Sequence, residues 1–173
     1  EKNTLVIFVS DNGGFAGAAN MGPLNGAKST TLEGGIRVPL IMRWPGHIRP
    51  GITNSQVCAT FDLTRSILNL AQAKVPAERL DGLDIVKHIT NRKPDFARTL
   101  FWRGKRGERI WSAVREGDLK YVRKTEGQTQ EWLFDLAKDL SEKNDLSSAQ
   151  PKQTARLKKL LANWEEDVLQ SVR

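Results

Sequence analysis

Thr4-Leu5-Val6-Ile7-Phe8-Val9 is the longest uninterrupted apolar run in this chain of 173 residues, and it is rich in β-branched side chains. A run that is apolar at every position, rather than at alternate ones, reads as a strand buried on both faces, as in parallel sheets flanked by helices. No stretch approaches the roughly 20 apolar residues of a membrane-spanning helix, so a membrane-spanning protein and a membrane partner are excluded. With 39% hydrophobic and 27% charged residues, the chain has material for a real core and is no disordered tail.

Ser10 to Asn25 is rich in Gly, Ala and Asn, without a period of 2 or 3.6. It reads as a long loop leaving the carboxyl end of the first strand, where α/β sheets commonly bind ligands. Val38 to Trp44 predicts a second strand, closed by the turn Trp44-Pro45-Gly46. Thr60 reads as the N-cap of a helix with Leu63, Ile67, Leu70 and Ala71 on its apolar face and Asp62 in its first turn, ended by Pro76. Leu80-Asp81-Gly82-Leu83-Asp84 reads as a turn before a short helix near Ile85 to Ile89.

From Thr99 the pattern changes. Thr99–Trp102, Ile110–Arg115, Leu119–Arg123 and Trp132–Leu136 predict four antiparallel strands, the middle two joined through Glu116-Gly117-Asp118. Leu157, Leu160, Leu161, Trp164 and Val168 recur at helical spacing after Pro151, so a terminal amphipathic helix should cover one face of that sheet. The fold class is therefore α/β. Residues 1–95 read as an α/β part, which the family resemblance given below implies to be a piece of a doubly wound sheet domain, and residues 96–173 read as a small four-stranded antiparallel sheet packed by the terminal helix.

The net charge of +7 comes from 27 Lys and Arg against 20 Asp and Glu. Nearly all the excess lies between Arg98 and Lys124: Arg98, Arg103, Lys105, Arg106, Arg109, Arg115, Lys120, Arg123 and Lys124 against Glu108, Glu116 and Asp118. With Trp102, Trp111 and Tyr121 this has the composition of a single-strand nucleic-acid binder. Alternation with Trp111 and Ala113 inward and Ser112 and Arg115 outward fits a core sheet better, so no nucleic-acid partner is expected. Cys58 is the only thiol and reads as a buried free cysteine rather than a nucleophile, which also excludes an internal disulfide or a Cys-rich zinc site. His47 and His88 have no neighbours at metal-ligand spacing and read as bystanders.

Asp11 and Asn12, directly after the first strand, offer hard oxygen donors suited to calcium or magnesium, although Asp-Asn-Gly-Gly is also ordinary turn chemistry. Lys28 sits among small residues in Gly26-Ala27-Lys28-Ser29-Thr30, where an ammonium can reach a tetrahedral oxyanion. The spacing of its glycines is not that of a P-loop. Thr30-Thr31-Leu32-Glu33 matches a capping box, but Gly34-Gly35 follows where the helix should continue. The match reads as accidental, with Glu33 as a structural acceptor.

Val9-Ser10-Asp11-Asn12-Gly13, Gly26-Ala27-Lys28, Glu33-Gly34-Gly35-Ile36-Arg37-Val38-Pro39 and Arg43-Trp44-Pro45-Gly46-His47-Ile48, in that order, resemble the later half of the sulfatase family. Asp62 to Leu68, Asp81 to Asp84 and Trp132 to Asp139, with Glu142 and Asn144, extend the resemblance over most of the chain. It implies a calcium-dependent sulfuric ester hydrolase of the alkaline-phosphatase-like superfamily, with a formylglycine nucleophile. Asp11 and Asn12 would be calcium ligands and Lys28 a ligand of the sulfate-ester oxygens, the substrate being a sulfate ester such as a sulfated carbohydrate.

The formylglycine motif needs Arg four residues after a Cys or Ser. Cys58 has Asp62 there, and no serine meets the requirement. The resemblance therefore implies a carboxyl-terminal portion, starting at Glu1 without Met or signal peptide, with no catalytic nucleophile of its own and the amino-terminal remainder of the same protein as its partner. Alone it should be inactive. Family habit leans toward periplasm, lysosome or exterior. The rival readings are a related phosphomonoester or phosphonate hydrolase, and a basic module on Arg98 to Lys124 that binds glycan or nucleic acid.

Overall fold

The computed structural model describes residues 3–74 and 80–170. Its elements are β1 (Val6–Val9), α1 (Glu33–Ile36), β2 (Leu40–Arg43), α2 (Thr60–Leu70), α3 (Ile85–Thr90), β3 (Thr99–Arg106), β4 (Arg109–Glu116), β5 (Leu119–Glu126), β6 (Gln128–Asp135) and α4 (Pro151–Gln170). They form two compact units, one of residues 1–11 and 39–96, the other of residues 12–38 and 97–173. Residues 12–38, expected with the amino-terminal part, thus cluster with the small sheet instead. The cause is a set of buried contacts to β5 described below.

In the first unit β1 and β2 pair antiparallel, with Val6 opposite Arg43 and Val9 opposite Leu40. Leu5, Ile7, Val9, Leu40 and Met42 pack against Leu63 of α2 and Ile85 and Val86 of α3. The helices of this unit cover that face only: Val6 is 50% exposed, Phe8 64% and Ile41 60%. The continuous apolar run, predicted to be covered on both faces, is covered on one among the described residues.

Helix α2 starts at Thr60, but its amino end is organised by Asp62 rather than by Thr60 as a cap. Asp62 is fully buried, and its carboxylate accepts from the amides of Ala59 (2.7 Å) and Leu83 (2.8 Å). Ser66, one turn on, donates from Oγ to the Asp62 carbonyl and accepts from the Val86 amide. Gly82 lies so close that a Cβ there would stand 2.3 Å from the Phe61 carbonyl oxygen. Together these contacts dock the segment before α3 onto α2. Pro76, the expected end of α2, lies outside the described residues; the helix itself ends at Leu70.

The second unit is built on an antiparallel sheet of order β3-β4-β5-β6. All four predicted strands are present and longer than predicted, each spanning eight residues, because their hairpins continue into polar, solvent-facing ends. Gly117, at the predicted turn, has φ of 59°, a left-handed conformation that glycine adopts without cost. One sheet face carries Val114, Tyr121 and Leu133 against Leu157 and Leu161 of α4, with Phe101 stacked on Trp164 at 5.0 Å. That is the cover expected of the terminal helix.

The other face carries Ala113, Val122, Phe134 and Leu136, with Leu32 and Trp102, Trp111 and Trp132 packed around them. The register puts Arg115 on the same face as Trp111 and Ala113, opposite Lys120, and Ser112 is fully buried. The predicted inward and outward sets are therefore wrong for those two residues. Ser112 lies under α4 and donates to Glu165 at 2.6 Å.

Replacing Asp62 by Ala should lower the unfolding free energy by about 1–3 kcal/mol, because two part-buried amides lose their carboxylate acceptor. Denaturant titration measures this, and a loss below about 1 kcal/mol would show that those amides find other partners.

Candidate active site

Glycine dictates the path of residues 12–38. The Gly13 amide donates to the Gly35 carbonyl at 2.8 Å, and a Cβ on Gly13 would stand 1.8 Å from the Gly34 carbonyl oxygen. The Gly34 amide donates to the Asn25 carbonyl at 2.6 Å, and the Lys28 amide donates to the Gly14 carbonyl at 2.9 Å. These contacts bring the backbone of Lys28 beside Asn12-Gly13-Gly14. Lys28 is exposed, Asn12 half-buried and Ala27 buried. Ser29, next to Lys28, has φ of 77°, a left-handed conformation that is uncommon for a residue with a Cβ. Asp11, two residues past the end of β1, is exposed and belongs to the first unit.

Calcium takes six to eight oxygen ligands, and Asp11 and Asn12 supply oxygens of the right hardness but too few for a complete site. Among the described residues no group of three or more His, Cys, Asp or Glu side chains could hold a metal ion.

The loop is anchored by a buried ion cluster. Glu33 opens α1, where the capping-box match fell, but its carboxylate does not cap the helix. Lys120 of β5 is fully buried, and its Nζ donates to Glu33 Oε1 at 2.7 Å and to Glu142 Oε1 at 2.9 Å. Glu142 Oε2 accepts from the Glu33 amide at 2.7 Å, and Arg37 donates to Glu33 Oε2 at 3.1 Å. Asp139 shapes the turn that presents Glu142 by accepting from the amides of Lys143 and Asn144. Sequence reasoning found Glu33 as an acceptor, but it counted Lys120 with a solvent-facing basic cluster. The signal available was Lys120 between the apolar Leu119 and Tyr121, together with the motif residue Glu142.

Burial pushes the Glu33 carboxyl up, yet the charge and hydrogen bond of Lys120, aided by Arg37 and Arg115, bring it below its ordinary value of 4.5. For Glu142 burial wins and the carboxyl lies above that value, despite Lys120 and the Glu33 amide.

Four other cations of the basic stretch share two carboxylates. Arg109 and Lys124 reach Glu126, whose carboxyl is pulled down to about 2, chiefly by the Arg109 hydrogen bond. Arg103 and Arg123 reach Glu165. Charge that is already paired offers little to an outside anion. His47 stacks on Trp44 at 4.0 Å, His88 is buried against Phe96, and Cys58 lies at the edge of the first core.

Residues 1–73 match the family model described as Sulfatase. Over these residues the chain resembles the sulfatase family. A sulfatase of Formosa agariphila is 41% identical over 107 residues, covering 58% of this chain and 19% of the relative. N-acetylgalactosamine-6-sulfatase of Mus musculus is 46% identical over 91 residues, covering 49% of this chain and 18% of the relative. The crystal structure of Ps i-CgsB, solved in complex with k-i-k-neocarrahexaose, superposes with a TM-score of 0.83 at 29% identity, covering 94% of this chain and 36% of that one. The chain thus spans less than a fifth of the length of these two curated sulfatases. The solved fold extends the likeness past residue 73 into the small sheet and terminal helix, the α/β architecture expected from the sequence.

A carboxyl whose folded-state pKa is lowered stabilises the protein fully above the unfolded value, and that share is lost as pH falls through the folded value. Glu33 is such a group; Glu142, raised, acts in the opposite sense, its share being lost as pH rises through its folded value. Glu33→Gln should therefore lower the melting temperature at pH 7 by at least about 4 °C and flatten the decline of wild-type stability below about pH 4.5. Melting curves from pH 3 to pH 8 check both; an unchanged acid limb would contradict the assignment.

Proposed function

We propose that the protein carrying this chain is a calcium-dependent sulfatase that hydrolyses sulfate esters, and that the chain is its carboxyl-terminal portion. In this reading Asp11 and Asn12 are calcium ligands and Lys28 binds the sulfate-ester oxygens. The observation that carries the reading is the hydrogen bond from the Lys28 amide to the Gly14 carbonyl, which holds the backbone of an exposed lysine beside the loop that opens with Asn12.

The chemistry of the residues supports these roles. As the S–O bond of a sulfate ester breaks, its electron pair and negative charge pass to the leaving ester oxygen, and a fixed ammonium beside that oxygen favours the redistribution. Lys28 is suited to it because its compact charge sits on a flexible stem whose backbone is held in place. Calcium, when bound, supplies further positive charge to polarise the sulfate oxygens. The chain contributes no nucleophile: a formylglycine would come from the amino-terminal part, because neither Cys58 nor any serine is followed by Arg at the fourth position. Residues 1–173 by themselves are expected to be inactive. The names of the mouse relative and of the ligand in the Ps i-CgsB structure favour a sulfated carbohydrate as substrate class.

In the full-length protein, Lys28→Ala should lower kcat/KM for a sulfate ester by about 10²-fold or more and leave the melting temperature within about 1 °C, since an exposed loop lysine holds no core together. Near-normal turnover would overturn the role given to Lys28. Calcium chelation should abolish activity, and added calcium should restore it.

A further inference from the structure

We propose that Lys120 is a positioning residue for the Lys28 loop, acting through Glu33, Glu142 and a ladder of backbone hydrogen bonds across Gly13, Gly14, Gly34 and Gly35. The inference rests on the reading of Lys28 as the sulfate ligand.

Lys120 is the second residue of β5, an inner strand of the sheet, with its ammonium wholly out of water. It grips α1 twice. One grip is direct, on the Glu33 carboxylate at 2.7 Å. The other runs through Glu142, which takes the ammonium on Oε1 at 2.9 Å and the Glu33 amide on Oε2 at 2.7 Å. Glu142 also offers its carbonyl to the Asn25 side-chain amide at 3.3 Å. The backbone and the side chain at the start of α1 are thereby held to one point on the sheet.

From α1 the constraint passes to Lys28 without intervening side-chain packing. Gly34 holds Asn25 by its amide, Gly35 holds Gly13 by its carbonyl, and Gly14 holds the Lys28 amide. The Gly13 and Gly34 backbones touch so closely that no side chain fits at Gly13. A displacement at Glu33 therefore moves the backbone that carries Lys28, since hydrogen bonds rather than deformable side chains connect them.

A merely structural role would not favour an ion cluster here. Burying charges costs several kcal/mol each, and apolar replacements of a buried ion group are often neutral or stabilising. What the cluster adds is direction: an ammonium between two carboxylates fixes where α1 sits more narrowly than apolar contact does.

The test uses the full-length protein and the paired variant Lys120→Met with Glu142→Gln. It removes one charge of each sign, keeps an acceptor for the Glu33 amide, and leaves Glu33 with Arg37. Hydrogen exchange of the Gly13, Lys28 and Gly34 amides should accelerate about tenfold or more, while the β4 and β5 amides exchange as in the unmodified protein. The variant should lose about 10- to 100-fold in kcat/KM for a sulfate ester, and in a Lys28→Ala background it should cost less than about twofold more. Unchanged loop exchange, equal acceleration across the sheet, or a full additional loss in the Lys28→Ala background would overturn the inference. If Lys28→Ala alone leaves turnover near normal, the sulfate-ligand reading fails, while the exchange pattern still decides whether Lys120 positions the loop.

Discussion

One buried ammonium governs the second unit. Lys120, with Glu33 on one side and Glu142 on the other, joins three stretches of chain far apart in sequence: the α1 turn, β5 and the turn after β6. An isolated charge there would cost several kcal/mol, so the three residues are tolerable only together. Their mutual dependence explains why residues 12–38 cluster with the small sheet and not with the strand that precedes them.

The apolar parts of the structure are simpler. The α4 face of the sheet buries Leu157 and Leu161 completely, and the opposite face gathers three tryptophans around Ala113 and Val122. The β1-β2 pair leaves Val6, Phe8 and Ile41 open while its other face meets α2 and α3. Asp62 does for the first unit what the ion cluster does for the second, tying an irregular segment to a helix through backbone amides.

Periodicity made the regular elements legible. The i, i+3, i+4, i+7 spacing of Leu157 to Trp164 located α4, and alternation with Gly117 located the β4-β5 hairpin, because both signals depend on residues close in sequence. The sequence was misleading where a polar residue's fate depends on distant partners. Lys120 and Arg115 read as part of a solvent-facing cationic strip, Thr60 read as a cap where Asp62 does the work, and Ser112 read as outward although α4 covers it. Motif order carried the resemblance to the sulfatase family, and through it the roles proposed for Asp11, Asn12 and Lys28, which type and spacing alone do not separate from ordinary turn and surface residues.

The sequence by itself determined the α/β class, the four strands, the terminal helix and the resemblance to the sulfatase family, because local propensity and motif order are written along the chain. Only the tertiary structure decided that Lys120 is buried, that Glu33 and Glu142 share it, and that the Lys28 loop hangs from that cluster through glycine backbones. Charge pairing across 87 and 22 residues of sequence has no local signature. The energy of a buried ion depends on who surrounds it, and the surroundings exist only once the chain has folded.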